Sequence, residues 1–112
     1  MKPRISIVTI AFNSAATIEE TIRSVISQDY DNLEYIVVDG ASTDATMDIV
    51  GRYREQIDKV VSEPDSGISD AFNKGIALAT GDIIGLINSD DTLLPGALSR
   101  LAEHFDGETD VY

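Results

Sequence analysis

The sequence of 112 residues contains no cysteine, which excludes disulfide bonds and thiolate chemistry and is consistent with a cytoplasmic protein. Basic residues are scarce as well: 8 lysines and arginines stand against 20 aspartates and glutamates, and the formal net charge is -12. This net charge argues against binding to nucleic acid, and against binding to an anionic membrane through a basic face. No apolar run approaches the ~20 residues of a membrane-spanning helix, and we expect neither a membrane span nor a signal peptide.

Glycine-rich phosphate-binding loops are also missing from the sequence. The pattern GxGxxG of dinucleotide-binding folds does not occur, and neither does the P-loop pattern GxxxxGK[ST]. The sequence therefore supports neither a dinucleotide cofactor nor a nucleotide held by a P-loop.

Apolar runs and amphipathic stretches alternate along the chain, which has the length of one domain. The predicted strands are residues 4–12, 33–38, 59–62, 82–87 and a last one that begins at 110. The predicted helices run from Ser14 or Thr17 to Gln28, from Ser42 or Thr43 to Ile57, from 69 to 79 and from Pro95 to Phe105. Most of the strands are apolar at successive positions, as in a parallel sheet covered by helices on both faces. We predict an α/β fold, a three-layer sandwich with a mostly parallel sheet.

Local signals mark where the predicted helices begin and end. They are a capping box of Thr17 and Glu20, an N-cap at Ser42 or Thr43, Pro95 at a first helical position and Gly81 as a C′ glycine. In the third helix, Phe72, Ile76 and Ala79 are predicted to face the core. His104 is expected at the surface.

Polar residues follow three of the predicted strands: Asn13, the pair Asp39 and Gly40, and residues 88–91. Right-handed crossovers place the carboxyl ends of parallel strands at one edge of the sheet, where ligands bind. Loops are polar in any case, but three such ends together favour a ligand site. Lys74 is the only cation between Ser62 and Asp91, so the predicted site cannot hold a diphosphate directly.

Asp90 and Asp91 are adjacent carboxylates that repel each other, so they are either solvated in a turn or held by a cation. Hard divalent cations such as Mg²⁺ bind one or two carboxylates together with substrate phosphates. A diphosphate could therefore bind through a divalent metal held by Asp90 or Asp91.

Four segments together resemble the inverting family-2 glycosyltransferases, which have the Rossmann-like GT-A fold. They are residues 8–13 (VTIAFN), 37–44 (VVDGASTD), 66–75 (SGISDAFNKG) and 88–91 (NSDD). The resemblance extends from Ile5 to about Leu101, which is nearly the whole chain. It implies that residues 1–112 are the nucleotide-sugar-binding part of a GT-A domain, apparently truncated, in an enzyme of polysaccharide biosynthesis.

The resemblance also implies roles for individual residues. Thr9 and Phe12 would line the base pocket of a nucleotide-diphospho-sugar, and Asp39 would accept a hydrogen bond from the base, usually uracil. Asp90 and Asp91 would contact the ribose and a metal, Mn²⁺ or Mg²⁺, in an order that the sequence leaves open. Asn13, Asp65, Asp70 and Asn88 would lie on the donor side of the site, and Asp44 would cap or brace its loop. Asp65 and Asp70 are otherwise explained as turn and capping residues, and Lys74 as a solvated residue that could approach the diphosphate.

The sequence departs from the family pattern at three points. Asn88 stands where an aspartate is common, and Phe72 stands where an arginine is usual, which puts that donor contact in doubt. No residue matches the carboxylate base that deprotonates the acceptor, so we expect the base and the acceptor pocket to be missing from this chain. The uncovered sheet edge of such a fragment would favour a homodimer.

The expected function is therefore transfer of a sugar, with inversion, from a UDP-linked donor to a glycan or lipid-linked acceptor, at a cytoplasmic site or the inner face of the membrane. The first alternative is a nucleotide-sugar-binding module without catalysis. The second is a receiver domain, with Asp39 as phosphoacceptor, but Phe12 and Asn13 stand where its acidic pair would be. A sugar nucleotidyltransferase would need a basic, glycine-rich loop after the first strand.

Overall fold

Strands and helices alternate along the computed structural model, which describes residues 2–105, 107, 110 and 111. The strands are β1 (Ile5–Ala11), β2 (Leu33–Asp39), β3 (Lys59–Ser62), β4 (Ile83–Asn88) and β5 (Asp110–Val111). The helices are α1 (Ile18–Ile26), α2 (Thr46–Arg52), α3 (Ile68–Leu78) and α4 (Ala97–Glu103), and a 3₁₀ turn (Arg54–Gln56) follows α2. The alternation confirms the predicted α/β class.

The strands form one sheet in the order β3-β2-β1-β4-β5, and every neighbouring pair is parallel. β1 is central, because Ile5 is in register with Leu33 of β2 on one side and with Ile83 of β4 on the other. The chain moves outward from β1 to β3 and then returns to β4 on the other side of β1. The direction of winding therefore reverses between β1 and β4, and their carboxyl ends form the crevice where such sheets bind ligands.

The core lies in two layers, one on each face of the sheet. Ile5 and Ile7 of β1 point to the face covered by α1, α2 and α4, whereas Val8 and Ile10 point to the face covered by α3. All seven residues of β1 are buried, and the aliphatic side chains among them each contribute about 1.5–3 kcal/mol through burial. The structure thus confirms the three-layer sandwich and the prediction of a strand buried on both faces.

Several of the predicted helix signals are wrong. Thr17 does precede α1, but its side chain makes no capping hydrogen bond, so the capping box with Glu20 is not formed. α2 begins after Ala45, because the side chain of Ser42 contacts other residues and the predicted cap is not used. α4 begins after Gly96, in the left-handed region at φ 79°, so Pro95 lies before the helix.

Gly81 is not a C′ glycine, since α3 ends at Leu78 with an extended Ala79 after it. Gly81 is instead required by a close approach: a Cβ there would lie 2.6 Å from Oγ of Ser6 and 2.8 Å from the backbone oxygen of Arg4. Ile57 lies beyond α2 and its 3₁₀ turn, yet it is buried in the core. The predicted inward residues of α3, Phe72, Ile76 and Ala79, are half-buried, and Ala71 and Gly75 are buried more deeply.

Candidate functional site

A cleft of about 660 Å³ opens at the carboxyl ends of β1 and β4. Its walls come from the end of β1, the start of α1, the loop before α3 and the end of β4. The lining residues are Ile10, Ala11, Phe12, Asn13, Ser14, Ala16, Thr17, Asp65, Gly67, Ile68, Ala71, Asn88, Ser89 and Asp90. The cleft therefore occupies the edge of the sheet at which the sequence predicts a ligand site.

Phe12 and Thr9 occupy different environments, although both were predicted to line a base pocket. Phe12 lies on the cleft with 63% of its surface exposed, which is unusual for a phenylalanine and leaves its ring free to stack. Thr9 lies within β1 and is fully buried, and its Oγ1 lies 2.8 Å from the hydroxyl of Tyr35. Burial raises the pKa of Tyr35 to about 12. The structure therefore places Thr9 in the core, and Ile10 and Ala11 are the β1 residues that line the cleft.

Asn13 fixes the loop between β2 and α2 against the end of β1. Its backbone is left-handed, at φ 47°, a conformation that asparagine tolerates better than most residues. The Asn13 side-chain oxygen accepts hydrogen bonds from the backbone amides of Thr43, at 2.8 Å, and Asp44, at 3.3 Å. The backbone amide of Asn13 donates to Oγ of Ser42 at 2.8 Å. Asn13 therefore lies on the cleft, as predicted, and its side chain also braces the loop.

Asp44 braces the same loop, which is the role expected of it. Its carboxylate accepts a hydrogen bond from the Thr46 hydroxyl, and this hydrogen bond lowers the pKa of Asp44. The carboxylate also accepts from the backbone amides of Thr46, at 2.9 Å, and Ala15, at 3.2 Å. These contacts join the start of α2 to the segment that leads into α1.

Asp39 is fully buried and does not line the cleft. One carboxylate oxygen accepts hydrogen bonds from the backbone amide of Ser42, at 2.9 Å, and the hydroxyl of Ser62, at 2.8 Å. The other accepts from the hydroxyl of Ser42 at 2.5 Å. These donors compensate the burial of the charge. In this structure Asp39 holds its loop from below, and a base could reach it only if these contacts rearranged.

The loop before α3 brings Asp65 to the cleft and leaves Asp70 outside its lining. Asp65 accepts a hydrogen bond from the amide of Gly67 at 3.0 Å, which is the turn contact expected of it. Asp70 accepts from the amide of Ser66 at 3.0 Å and lies 3.7 Å from Nζ of Lys74. Lys74 also contacts the backbone oxygen of Pro64 at 2.9 Å, so its ammonium group is tied to this loop.

Residues 88–91 form a turn whose members point in different directions. Asn88 and Asp90 line the cleft, whereas Asp91 is exposed outside its lining. The backbone is held at two points: the amide of Asp91 donates to the oxygen of Asn88 at 3.1 Å, and the hydroxyls of Ser89 and Ser14 lie 2.6 Å apart. Of the two predicted metal ligands, Asp90 is thus the one that faces the cleft.

The charges of the cleft decide what it can hold. Its lining contains the carboxylates of Asp65 and Asp90 and no lysine or arginine. Among residues 2–105 and the other described positions, no group of three histidine, aspartate or glutamate side chains could by itself hold a metal ion. A single carboxylate such as that of Asp90 would suffice only for a metal that completes its coordination with substrate phosphates and water. A shared metal of this kind fits the residues present, and Asp90 would hold it.

Nine lining residues were not predicted as site residues: Ile10, Ala11, Ser14, Ala16, Thr17, Gly67, Ile68, Ala71 and Ser89. Ser14 and Ser89 directly follow residues that were predicted, so the polar segments after β1 and β4 signalled their position. Ile68 is 63% exposed at the start of α3, and nothing in the sequence distinguishes it from a core residue. His104 is exposed after α4, as expected.

The sequence matches the family model of glycosyl transferase family 2 over residues 6–112. The chain belongs to this family. A relative in Bacillus subtilis, the putative teichuronic acid biosynthesis glycosyltransferase TuaG, is 39% identical over 105 residues, which are 91% of this chain and 42% of TuaG. The GalNAc(5)-diNAcBac-PP-undecaprenol beta-1,3-glucosyltransferase of Campylobacter jejuni is 31% identical over 90% of this chain and 34% of its own length.

Solved structures of other proteins share the fold of this chain. TarS 1-349 of S. aureus in complex with UDP-GlcNAc superimposes with a TM-score of 0.82 at 28% identity, over 89% of this chain and 30% of that one. The mannosyltransferase PcManGT of Pyrobaculum calidifontis, in complex with GDP-Man and Mn²⁺, gives a TM-score of 0.82 at 29% identity, over 95% and 34%. The fold is therefore GT-A, as the resemblance implied. This family-2 chain spans about a third to two fifths of the length of these relatives.

In the part of the chain that the structure describes, no helix is long and apolar enough to cross a membrane.

Proposed function

We propose that this chain binds a nucleotide-diphospho-sugar, UDP-linked, in the cleft between β1 and β4, with a divalent metal shared between Asp90 and the diphosphate. The observation that carries the proposal is the lining itself. An exposed aromatic ring, Phe12, lies at one wall, the carboxylates of Asp65 and Asp90 lie at others, and the lining contains no lysine or arginine. The fold relatives TarS and PcManGT support it, because their complexes contain UDP-GlcNAc and GDP-Man with Mn²⁺.

In this proposal each part of the cleft has a distinct task. Phe12 stacks on the base, and Asn13 keeps the neighbouring loop in place beneath it. The side-chain amide of Asn88 donates a hydrogen bond to the donor's ribose or diphosphate. Mn²⁺ or Mg²⁺ held at Asp90 would supply positive charge for the leaving diphosphate, which an acidic cleft cannot provide. Thr9, Asp70 and Asp91 do not reach the lining and have no direct contact with the donor in this arrangement.

The whole reaction would be transfer of the sugar, with inversion, to a glycan or lipid-linked acceptor at the inner face of the membrane. The names of TuaG and the Campylobacter enzyme support such an acceptor, because one mentions teichuronic acid biosynthesis and the other an undecaprenol-linked glycan. We place the catalytic base and the acceptor pocket in the part of the relatives' length that this chain does not match. If that part is not present, the function is nucleotide-sugar binding without transfer.

Replacing Asp90 with asparagine is expected to remove the gain in affinity for the donor that a divalent metal provides. In calorimetric titration, Mn²⁺ should strengthen the binding of UDP to the wild-type chain, and Asp90→Asn should lower that affinity by at least about tenfold. Asp91→Asn is the matched control, since it removes the same charge one residue away and should retain most of the gain. Equal losses in the two variants, or UDP binding that ignores Mn²⁺, would contradict the proposed role of Asp90.

GDP should bind more weakly than UDP in the same titration. The resemblance favours uracil, but a relative of similar fold binds GDP-Man, so the base is tested directly. Phe12→Ala should weaken UDP binding both with and without Mn²⁺, because stacking on an aromatic ring is worth about 1–3 kcal/mol. Tighter binding of GDP would overturn the UDP assignment and leave the cleft assignment intact.

A further inference from the structure

Helix α1 has two adjacent faces with different tasks. Ile18, Ile22 and Val25 form the apolar face and are fully buried in the core. Thr21, Ser24 and Gln28 follow one another at positions i, i+3 and i+7, so they lie on one side of the helix. That polar side faces the segment 89–96 between β4 and α4, which has no helix or strand of its own.

Thr21 contacts this segment on both sides of Asp90. Its hydroxyl donates to the backbone oxygen of Asp91, at 2.6 Å, and lies 2.9 Å from that of Ser89. Thr21 is fully buried, so water does not compete for these contacts. One buried hydroxyl thus contacts the backbone oxygens of both residues next to Asp90, the carboxylate that faces the cleft.

Ser24 and Gln28 extend the same set of contacts toward α4. The hydroxyl of Ser24 accepts a hydrogen bond from the amide of Leu93 at 3.0 Å. The side-chain amide of Gln28 donates to the oxygen of Leu94 at 2.9 Å and accepts from the amide of Leu98 at 3.3 Å. Because Gly96 offers no side chain to cap α4, Gln28 satisfies one of the free amides at the start of that helix.

The carboxylate of Asp90 has no hydrogen-bond partner among residues 2–105, so its position depends on the backbone of its turn. We infer that Thr21 is a positioning residue for metal-dependent donor binding, acting through the backbone oxygens of Ser89 and Asp91, the residues on either side of Asp90. The inference rests on the proposed function, since it concerns the same cleft. Groups that orient a metal ligand in this way typically change metal affinity by roughly 10- to 100-fold when they are removed.

The test is calorimetric titration of the 112-residue chain with UDP, with and without Mn²⁺, for wild type and three variants. Thr21→Val removes the hydroxyl and keeps the shape, and it should reduce the gain in affinity from Mn²⁺ by about tenfold while metal-free UDP binding changes little. Thr21→Ser keeps the hydroxyl and should restore most of the gain. Ser6→Ala removes a buried hydroxyl near the amino-terminal end of β1, far from the cleft. It should therefore lower thermal stability and leave the gain in UDP affinity from Mn²⁺ unchanged.

A second readout does not depend on the ligand. In Thr21→Val without nucleotide or metal, the amides of Asp91 and Leu93 should exchange with deuterium faster than in Ser6→Ala at matched stability. A Thr21→Val chain that keeps the full Mn²⁺ gain, or a Ser6→Ala chain that loses as much, would overturn the inference and leave the proposed function standing. Wild-type chain that binds UDP equally with and without Mn²⁺ would overturn both.

Discussion

Replacing Gly75 with alanine is expected to lower the free energy of unfolding by about 2–3 kcal/mol, although alanine is the better helix former. Gly75 lies within α3, where the helix packs on the sheet. A Cβ built on Gly75 would lie 2.2 Å from Cγ1 of Val8 and 3.2 Å from its Cβ. Val8 is fully buried in the central strand, so neither side has room to move and the helix itself would have to shift.

Gly51 provides the matched control for this substitution. It lies in α2, and a Cβ there would meet nothing within 4 Å. Gly51→Ala should therefore raise the free energy of unfolding by about 0.5–1 kcal/mol. Urea unfolding with a common m-value distinguishes the two, and Val8→Ala combined with Gly75→Ala should cost less than the sum of the single changes. A Gly75→Ala chain as stable as wild type would show that α3 does not approach β1 so closely.

This contact also matters for the cleft. Ile68 and Ala71, on the first turns of the same helix, form part of its wall. The distance between α3 and β1 therefore sets the width of the cleft as well as the packing of the core. A glycine at position 75 lets the helix lie closer to the sheet than any other residue would allow.

The strands could be predicted from the sequence because each is specified by its own residues. β1 is apolar at nearly every position, and only a strand covered on both faces buries such a run. The predicted last strand, read from three residues, also exists as β5. Once strands and helices alternate, the handedness of the crossovers leaves few topologies, so the edge that carries the site followed from the same argument.

The helix caps could not be predicted in the same way, because polar side chains have more than one partner available. Ser42 is a good N-cap by residue type, yet its hydroxyl donates a hydrogen bond to the carboxylate of Asp39 in β2. The same hydroxyl accepts a hydrogen bond from the amide of Asn13, which is 29 residues away in sequence. The preference of serine for an N-cap position is outweighed here, because a hydrogen bond to a buried carboxylate is stronger.

The individual site residues depended on orientation, which a sequence pattern does not contain. Thr9 and Phe12 are close in the chain, but side chains of a strand alternate between its faces, and Thr9 points into the core. Asp90 and Asp91 are adjacent carboxylates in a turn, and only the backbone of that turn decides which one faces the cleft. Thr21 could not be identified from sequence, since its partners lie 68 and 70 residues away.

Glu34 is a second residue that its sequence context does not explain, and replacing it with glutamine is expected to cost roughly 2–3 kcal/mol of unfolding free energy at neutral pH. Its side chain is 3% exposed at the amino-terminal end of β2. The carboxylate accepts hydrogen bonds from the Ser6 hydroxyl, at 2.7 Å, and the Thr80 amide, at 2.9 Å, and lies 3.0 Å from Nζ of Lys59. Glutamine would fill the space but lose the charge that these donors stabilise.

The cost of Glu34→Gln should depend on pH with a definite sign. Burial alone would raise the pKa of Glu34, but the hydrogen bonds from Thr80, Ser6 and Lys59 outweigh it and lower the pKa to about 2. Because the folded pKa lies below the unfolded value of about 4.3, the stabilisation is complete above that value and is lost as the pH falls toward 2. The difference in unfolding free energy between wild type and Glu34→Gln, from urea titrations, should be constant near pH 6–7 and shrink below about pH 4.5.

Asp31→Asn is the control, because it removes an exposed carboxylate whereas Glu34→Gln removes a buried one. Asp31 forms an ion pair with Lys2 at 3.0 Å, but both side chains are largely exposed. The hydrogen bond from Lys2 lowers the pKa of Asp31, yet water screens an exposed pair, so the urea midpoint should hardly change. If Glu34→Gln cost as little as Asp31→Asn, or its cost were the same at pH 3 as at pH 7, the network would not stabilise the charged form. A neutral side chain that accepts the same hydrogen bonds would then stabilise the fold as well as the carboxylate does.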